Sequence, residues 1–182
     1  QVARCFRDED LRADRQPEFT QVDIEMSFVD VDDVLELNEG LMAHVVKETL
    51  GVEVETPFER LPYRDAMDRF GSDKPDVRFG LELEDLTAAF RGSAFRAFAG
   101  AVEASGVVKA LAVGAADAEP VTRKVLAELE ELARSHGLGG LAWLRRGDEG
   151  FTGPVAKFLG EAELQAVSRL APRTGDLVLL AA

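Results

Sequence analysis

The sequence predicts an α+β protein built from two structural units. Its 182 residues suffice for one domain or two small ones, and a hydrophobic content of 46% can form a buried core. Apolar and polar residues alternate from Phe19 to Val29, which predicts a strand, and apolar residues at helical spacing before Gly51 predict a helix. Beyond residue 84, glycines separate short apolar runs that favour a small two-layer sheet covered by helices.

The charge of the chain changes near residue 84. Residues 1–84 carry 10 Lys and Arg against 22 Asp and Glu, whereas residues 85–182 carry 11 against 12. We therefore expect one domain over 1–84 and a second over 85–182, the second folding without the first. No apolar run is long enough for a membrane span and no signal segment is present, so the composition favours a cytoplasmic protein. Because the chain opens on Gln1 as though already inside a strand, we interpret it as a fragment.

The first domain is expected to contain two strands and two helices. Gln1–Arg7 reads as a strand, followed by a polar loop that contains Pro17. The strand over 19–29 would direct Thr20, Val22, Ile24, Met26 and Phe28 to one face and Phe19, Gln21, Asp23 and Glu25 to the other. A helix from Val31 to Gly51 is expected to cover the apolar face, and a shorter helix spans 63–70.

The second domain is expected to alternate helices and strands. Residues 95–99 and 107–113 are predicted to pair as a hairpin, and a helix follows from about Pro120 to His136. A strand over 140–145, a helical stretch over 155–170 broken at Gly160 and a last strand over 176–181 complete the prediction.

Residues 4–25 contain most of the side chains that could bind a ligand or take part in catalysis. Four arginines alternate there with carboxylates, and one interpretation is a solvated loop whose opposite charges pair at the surface. The other interpretation is a binding site, in which an arginine ends one strand beside a strand that presents Phe19, Gln21 and Asp23. Arginine binds phosphate or carboxylate through two parallel bonds, phenylalanine can stack on a base, and aspartate can hold an ammonium group.

Three segments carry a resemblance to a known family. Residues Arg4–Phe28 resemble the second signature motif of class II aminoacyl-tRNA synthetases in its bacterial aspartyl form. Residues 63–67 and 70–79 are similar to a segment that follows later in the same enzymes. Residues 94–99, 141–143 and 153–159 resemble the insertion domain of those enzymes, which the B subunit of tRNA-dependent amidotransferases shares. The resemblance implies part of a class II antiparallel catalytic sheet followed by an α/β insertion domain.

The resemblance also implies a reaction and a role for each matching residue. Aspartate and ATP would give aspartyl-adenylate and pyrophosphate, and aspartate would then pass to the end of its tRNA. Arg7 would be the catalytic residue that holds the α-phosphate and the substrate carboxylate. The other implied contacts are Glu9, Gln16 and Phe19 to ATP, Gln21 and Asp23 to the substrate ammonium group, and Arg12 and Arg15 to the tRNA acceptor end.

The resemblance implies further parts that this sequence lacks. The family's first and third motifs, the arginine that reads the substrate side chain and the anticodon-binding domain have no counterpart here, so we expect the isolated chain to be inactive. The implied homodimer and the ligands of the Mg²⁺ that accompanies ATP would depend on those other parts. The net charge of −13 supplies no extended basic face for nucleic acid.

An alternative function class stays open on the sequence alone. A non-catalytic tRNA- or protein-interaction module related to the amidotransferase B subunit would account for 85–182 but not for Arg4–Phe28. No protein metal site is expected from two isolated histidines, His44 and His136, and one cysteine, Cys5, which we interpret as structural. Arg145, Arg146 and Lys157 admit an RNA contact, although a solvated face is the simpler interpretation.

Overall fold

The computed structural model describes residues 1–8, 10 and 12–182, and it divides the chain into two compact units. The first unit is Gln1–Arg60 and the second is Leu61–Ala182. The change of composition near residue 84 therefore lies inside the second unit. The division into domains 1–84 and 85–182 stays a prediction about which part folds independently.

The first unit contains an antiparallel hairpin of two strands. Strand β1 (Val2–Phe6) pairs with β2 (Glu18–Val22), with Val2 opposite Val22 and Phe6 opposite Glu18. The second strand is shorter than the alternation over 19–29 predicts. A strand requires a hydrogen-bonded partner as well as alternation, and in the described part of the chain this pairing ends where Asp23 donates its backbone N–H to the Gln1 carbonyl.

One face of this hairpin is apolar and exposed. Val2, Phe6 and Val22 are 76%, 71% and 60% exposed, and Phe28 is fully exposed. The expectation that the following helix covers the apolar strand face is therefore wrong for this structure. The helix residues at the spacing expected for that contact, Val34, Leu37 and Val45, are also exposed. The helix therefore does not pack its apolar side on the strand face.

Helix α1 (Val31–Leu50) has the ends that its sequence predicts. Asp30 and Asp33 form a reciprocal capping box at the start, and Gly51 ends the helix with φ +68°, a conformation that glycine adopts without strain. Glu39 is buried on this helix, where it forms an ion pair with Arg60. The pair neutralises the buried carboxylate.

The second unit is a five-stranded sheet with helices. Its strands have the spatial order β3-β4-β7-β5-β6, and every neighbouring pair is antiparallel. The elements in chain order are α2 (Tyr63–Phe70), β3 (Leu83–Asp85), α3 (Arg96–Glu103), β4 (Lys109–Val113), α4 (Ala115–Ala118), α5 (Arg123–Ser135), β5 (Ala142–Arg146), β6 (Phe151–Thr152), α6 (Glu161–Leu170) and β7 (Leu177–Ala181). Together with the hairpin and α1, this arrangement confirms the predicted α+β class.

The core of the second unit joins the central strands to the helices. Val108, Leu144 and Leu180 are fully buried together with Phe90 and with Val167 of α6. Burial of such side chains contributes about 1.5–3 kcal/mol each to folding. This unit therefore carries a continuous apolar core of its own.

One element of the second unit differs in type from its prediction. Residues 95–99 do not form a hairpin strand, since α3 begins at Arg96. The Phe98 ring packs edge-to-face against Phe95 and Phe90, with ring centres 4.8 Å and 5.2 Å apart. Two aromatic residues three positions apart meet on one side of a helix but point to opposite faces of a strand, so this cluster favours the helix.

Among the residues that the structure describes, no helix is both long and apolar enough to cross a membrane.

Candidate functional site

The half-buried face of the hairpin carries the predicted binding side chains. Cys5 lies opposite Phe19, and Ala3 lies opposite Gln21. Phe19, Gln21 and Asp23 are partly buried, whereas their neighbours Thr20 and Val22 are exposed on the other face. The structure thus places Phe19 and Gln21 on one side of β2 and Asp23 on the same side directly after it, as the period of a strand requires.

Arg7 follows the end of β1 and reaches the same face. Its backbone N–H donates to the Pro17 carbonyl over 2.9 Å, which holds the two ends of the connecting loop together. The guanidinium carbon of Arg7 lies 5.2 Å from the centre of the Phe19 ring. A cation at this distance over an aromatic face interacts favourably with it. The pair sets a guanidinium group, which can bind phosphate, beside an aromatic ring on which a base can stack.

The loop between the strands presents the two predicted tRNA-contacting arginines. Arg12 and Arg15 form an isolated antiparallel bridge, with the Arg15 N–H donating to the Arg12 carbonyl over 3.1 Å. Both are exposed. Glu9, a predicted ATP contact, lies outside the described residues.

A cavity of about 570 Å³ opens beside this loop. Its lining residues are Arg7, Ala13, Asp14, Arg15, Gln16, Glu18 and Phe19. The volume falls in the range of roughly 300–1,000 Å³ typical of small-molecule sites. The cavity brings together Arg7, Gln16 and Phe19, which were predicted to bind ATP, and it includes Arg15. It does not include Arg12, Gln21 or Asp23.

Three residues at this site have contacts that the sequence analysis missed. Glu18 lines the cavity and forms an ion pair with Arg4, which lies on the exposed face of β1. Gln1 donates from its side-chain amide to the Asp23 carboxylate. The signal for both contacts is the register of the hairpin, which depends on the length of the loop and is not visible in the alternation of either strand alone.

The described residues of the hairpin were compared with the requirements of a protein metal site. Within the described part of the chain, no three His, Cys, Asp or Glu side chains are grouped closely enough to hold a metal ion. Cys5 is only half-buried, with its Sγ 3.9 Å from Gln21 Oε1.

The carboxyl groups with shifted pKa values lie in the second unit. The Arg78 guanidinium and backbone N–H bind Asp76 and lower the pKa of that carboxyl to about 2. The Arg69 guanidinium, bidentate to Glu82 at 2.7 Å and 2.8 Å, lowers the Glu82 pKa. Each shift comes from a local ion pair, so neither marks an acid or base for catalysis.

Two arginines of strand β5, Arg145 and Arg146, have structural partners. Arg145 donates to the backbone carbonyls of Ala118 and Val121, which ties β5 to the segment after α4. Arg146 donates to Ser168 Oγ and lies over the Phe151 ring at 4.9 Å. The expectation of a solvated face is wrong for Arg145, because a strand places its guanidinium against free carbonyl groups at a helix end.

Comparisons with known proteins show which family the chain resembles. Residues 1–164 match the family described as tRNA synthetases class II (D, K and N). Over the whole chain it is 56% identical to a protein named aspartate–tRNA ligase of Deinococcus deserti and 48% identical to one of Clostridium botulinum strain Loch Maree. It is 54% identical to the aspartate–tRNA(Asp) ligase of Deinococcus radiodurans. The chain spans about 30% of the length of each of these relatives.

The family match also bears on the alternative of an interaction module. It begins at residue 1, so it includes the hairpin as well as most of the second unit. An insertion-type module alone would leave that hairpin unexplained.

Proposed function

Because the chain belongs to the class II tRNA synthetases of the D, K and N group, we propose that it is part of an aspartate–tRNA ligase. The full-length protein would activate aspartate with ATP and transfer it to tRNA in the cytoplasm. The observation that carries this proposal is the meeting of Arg7, Gln16 and Phe19 around one cavity beside the strand that bears Gln21 and Asp23.

The nucleotide end of the proposed site is formed by Phe19, Arg7 and Gln16. Phe19 offers a ring on which adenine can stack, and the Arg7 guanidinium beside it can hold the α-phosphate and the substrate carboxylate. Charge builds on that phosphate in the transition state, and a fixed cation stabilises it. Gln16 contributes an amide to ATP, and Glu9 is proposed as a further contact.

The amino-acid end of the proposed site follows along β2. Residues two apart on a strand are about 6.8 Å apart, so Phe19, Gln21 and Asp23 form a row about 13 Å long. An extended aminoacyl adenylate has its base at one end and its ammonium group at the other. Gln21 and Asp23 would hold that ammonium through an amide oxygen and a carboxylate, which favour a positive charge.

The loop arginines provide two exposed cationic side chains for tRNA. Arg12 and Arg15 are exposed on the bridge at the loop and would meet the phosphates of the acceptor end. A local contact of this kind is compatible with a chain of net charge −13, since most of the tRNA would be bound elsewhere in the full-length protein.

Neither proposed step uses a nucleophile from the protein. In the first step the aspartate carboxylate attacks the α-phosphate of ATP and pyrophosphate leaves. In the second step the tRNA hydroxyl attacks the carbonyl of the adenylate and AMP leaves, so the residues act by positioning and charge stabilisation. The described residues offer no metal cluster, and we assign no residue of this chain to Mg²⁺. We propose that its ligands, and the homodimer contacts, lie elsewhere in the full-length protein.

The experiment that tests the proposal is amino-acid-dependent ATP–pyrophosphate exchange by the full-length protein. Aspartate, asparagine and lysine should be compared, since the family includes all three specificities. We expect exchange with aspartate and at least 10²-fold less with the other two. The polar groups of a site that fits the aspartate side chain are left without hydrogen-bond partners when a different side chain occupies it. Preference for lysine or asparagine would contradict the proposal.

A further inference from the structure

Gln1 and Asp23 face each other at the end of the hairpin. The register Val2–Val22 continues by one residue, because the Asp23 N–H donates to the Gln1 carbonyl over 2.8 Å. The two side chains then point to the same face as Phe19 and Gln21. Position 1 is thereby fixed against position 23 by the backbone.

The Gln1 side chain contacts the Asp23 carboxylate directly. Its Nε2 donates to Asp23 Oδ2 over 3.3 Å. Among the described residues, this is the side chain that donates to Asp23. A carboxylate has about four acceptor positions on its two oxygens, so one amide N–H leaves room for a ligand at the other oxygen.

An amide suits this position better than a cationic residue would. A lysine or arginine at position 1 would pair with Asp23 and compete with a substrate ammonium group for it. A glutamine orients the carboxylate without bringing a charge. Ala3, which lies between Gln1 and Cys5 on the same face, has a side chain of one carbon and leaves space above Gln21.

We propose that Gln1 is a positioning residue that orients the Asp23 carboxylate toward the ammonium group of the amino-acid substrate. This inference rests on the proposed function, in which Asp23 holds that group. Gln1 does not touch the reacting atoms. Its effect is on substrate binding in the ground state and in the transition state alike.

The test uses three variants of the full-length protein in ATP–pyrophosphate exchange. Gln1→Met keeps the length of the side chain and removes the donor, so the KM for aspartate should rise about tenfold, as for loss of one hydrogen bond to a charged group. Both kcat and the KM for ATP should stay within about twofold of the unaltered protein. The lost interaction holds aspartate equally in the ground state and in the transition state, so its loss weakens aspartate binding without slowing the bound complex. Gln1→Lys should raise the aspartate KM at least as far, through competition for Asp23. Val2→Ala, on the opposite face of β1 with an exposed side chain, is the matched control and should leave the aspartate KM unchanged.

The outcomes separate this inference from the proposed function. An unchanged aspartate KM in Gln1→Met would overturn the role of Gln1 alone. Equal changes in aspartate KM, ATP KM and kcat would also overturn it, because they indicate a general disturbance of the hairpin. No aspartate-dependent exchange in the unaltered full-length protein would overturn both proposals.

Discussion

The Arg7 guanidinium carbon lies 5.2 Å from the centre of the Phe19 ring, at the loop end of the hairpin. Residue 7 follows the first strand and residue 19 lies in the second, so this contact depends on the pairing of Cys5 with Phe19. A nucleotide needs both an aromatic surface and a cation within a few ångströms of each other. The hairpin supplies that combination from residues twelve positions apart.

Arg12 and Arg7 should affect different steps of the reaction. Arg12 is exposed on the loop and does not line the cavity, whereas Arg7 does. Arg12→Ala in the full-length protein should therefore weaken tRNA aminoacylation and leave ATP–pyrophosphate exchange within about twofold, since a group absent from a transition state cannot stabilise it. Steady-state kinetics of both reactions measure this. Equal damage to both reactions would show that Arg12 acts in the cavity.

The isolated 182-residue chain should not catalyse aspartate-dependent exchange. It contains one hairpin of the proposed site and about 30% of the length of its relatives. With only some of the groups that hold ATP and aspartate, the binding free energy needed to orient them is missing. Exchange above the background of an Arg7→Ala chain would refute this prediction.

The second unit should fold without the first. It has its own apolar core, and β3 pairs with β4 within it. A polypeptide of residues 61–182 should melt cooperatively, and one of 85–182 should do so at a lower temperature, because it lacks Leu83 and Glu84 of β3. Residues 1–60 should aggregate or stay unfolded, since the hairpin face around Val2 and Phe6 is exposed. Calorimetry decides, and a broad transition from 61–182 would contradict the prediction.

The Asp76 carboxyl should titrate with a pKa of about 2. Since the folded pKa is below the ordinary 3.8, the stabilisation from its bonds to Arg78 is present above that value and is lost as the pH falls toward 2. Carbon NMR of the carboxyl groups measures the shift. Arg78→Leu should raise the Asp76 pKa and leave the Glu82 pKa unchanged, whereas Arg69→Leu should do the reverse. An Asp76 pKa that does not move in Arg78→Leu would exclude the ion pair in solution.

Elements specified by local signals could be predicted closely from the sequence. Helix α1 begins after Asp30 and ends at Gly51 because capping and a left-handed glycine are properties of a few adjacent residues. The helical break at Gly160 and the last strand, predicted from a glycine and from a short apolar run, are present. The α3 segment was predicted as a strand and is a helix. Its secondary structure depends on the packing of Phe98 against Phe90, which lies outside the short sequence pattern used for the prediction.

The candidate site was predictable in composition but not in register. Phe19, Gln21 and Asp23 share a face because of the period of a strand, and that much follows from the sequence. The contact of Gln1 with Asp23 and the ion pair of Arg4 with Glu18 require knowledge of which residues oppose each other. Loop closure sets that register, through the bond from Arg7 to Pro17.

The central claim, that the hairpin cavity activates aspartate through Arg7, is tested most directly by ATP–pyrophosphate exchange in the full-length protein. Arg7→Ala should lower kcat/KM by about 10²- to 10³-fold, the effect of losing one preorganised group that stabilises transition-state charge. Lys124→Ala, which removes an exposed positive charge from helix α5, should stay within about threefold of the unaltered protein. A loss of less than tenfold in Arg7→Ala, or an equal loss in Lys124→Ala, would contradict the account.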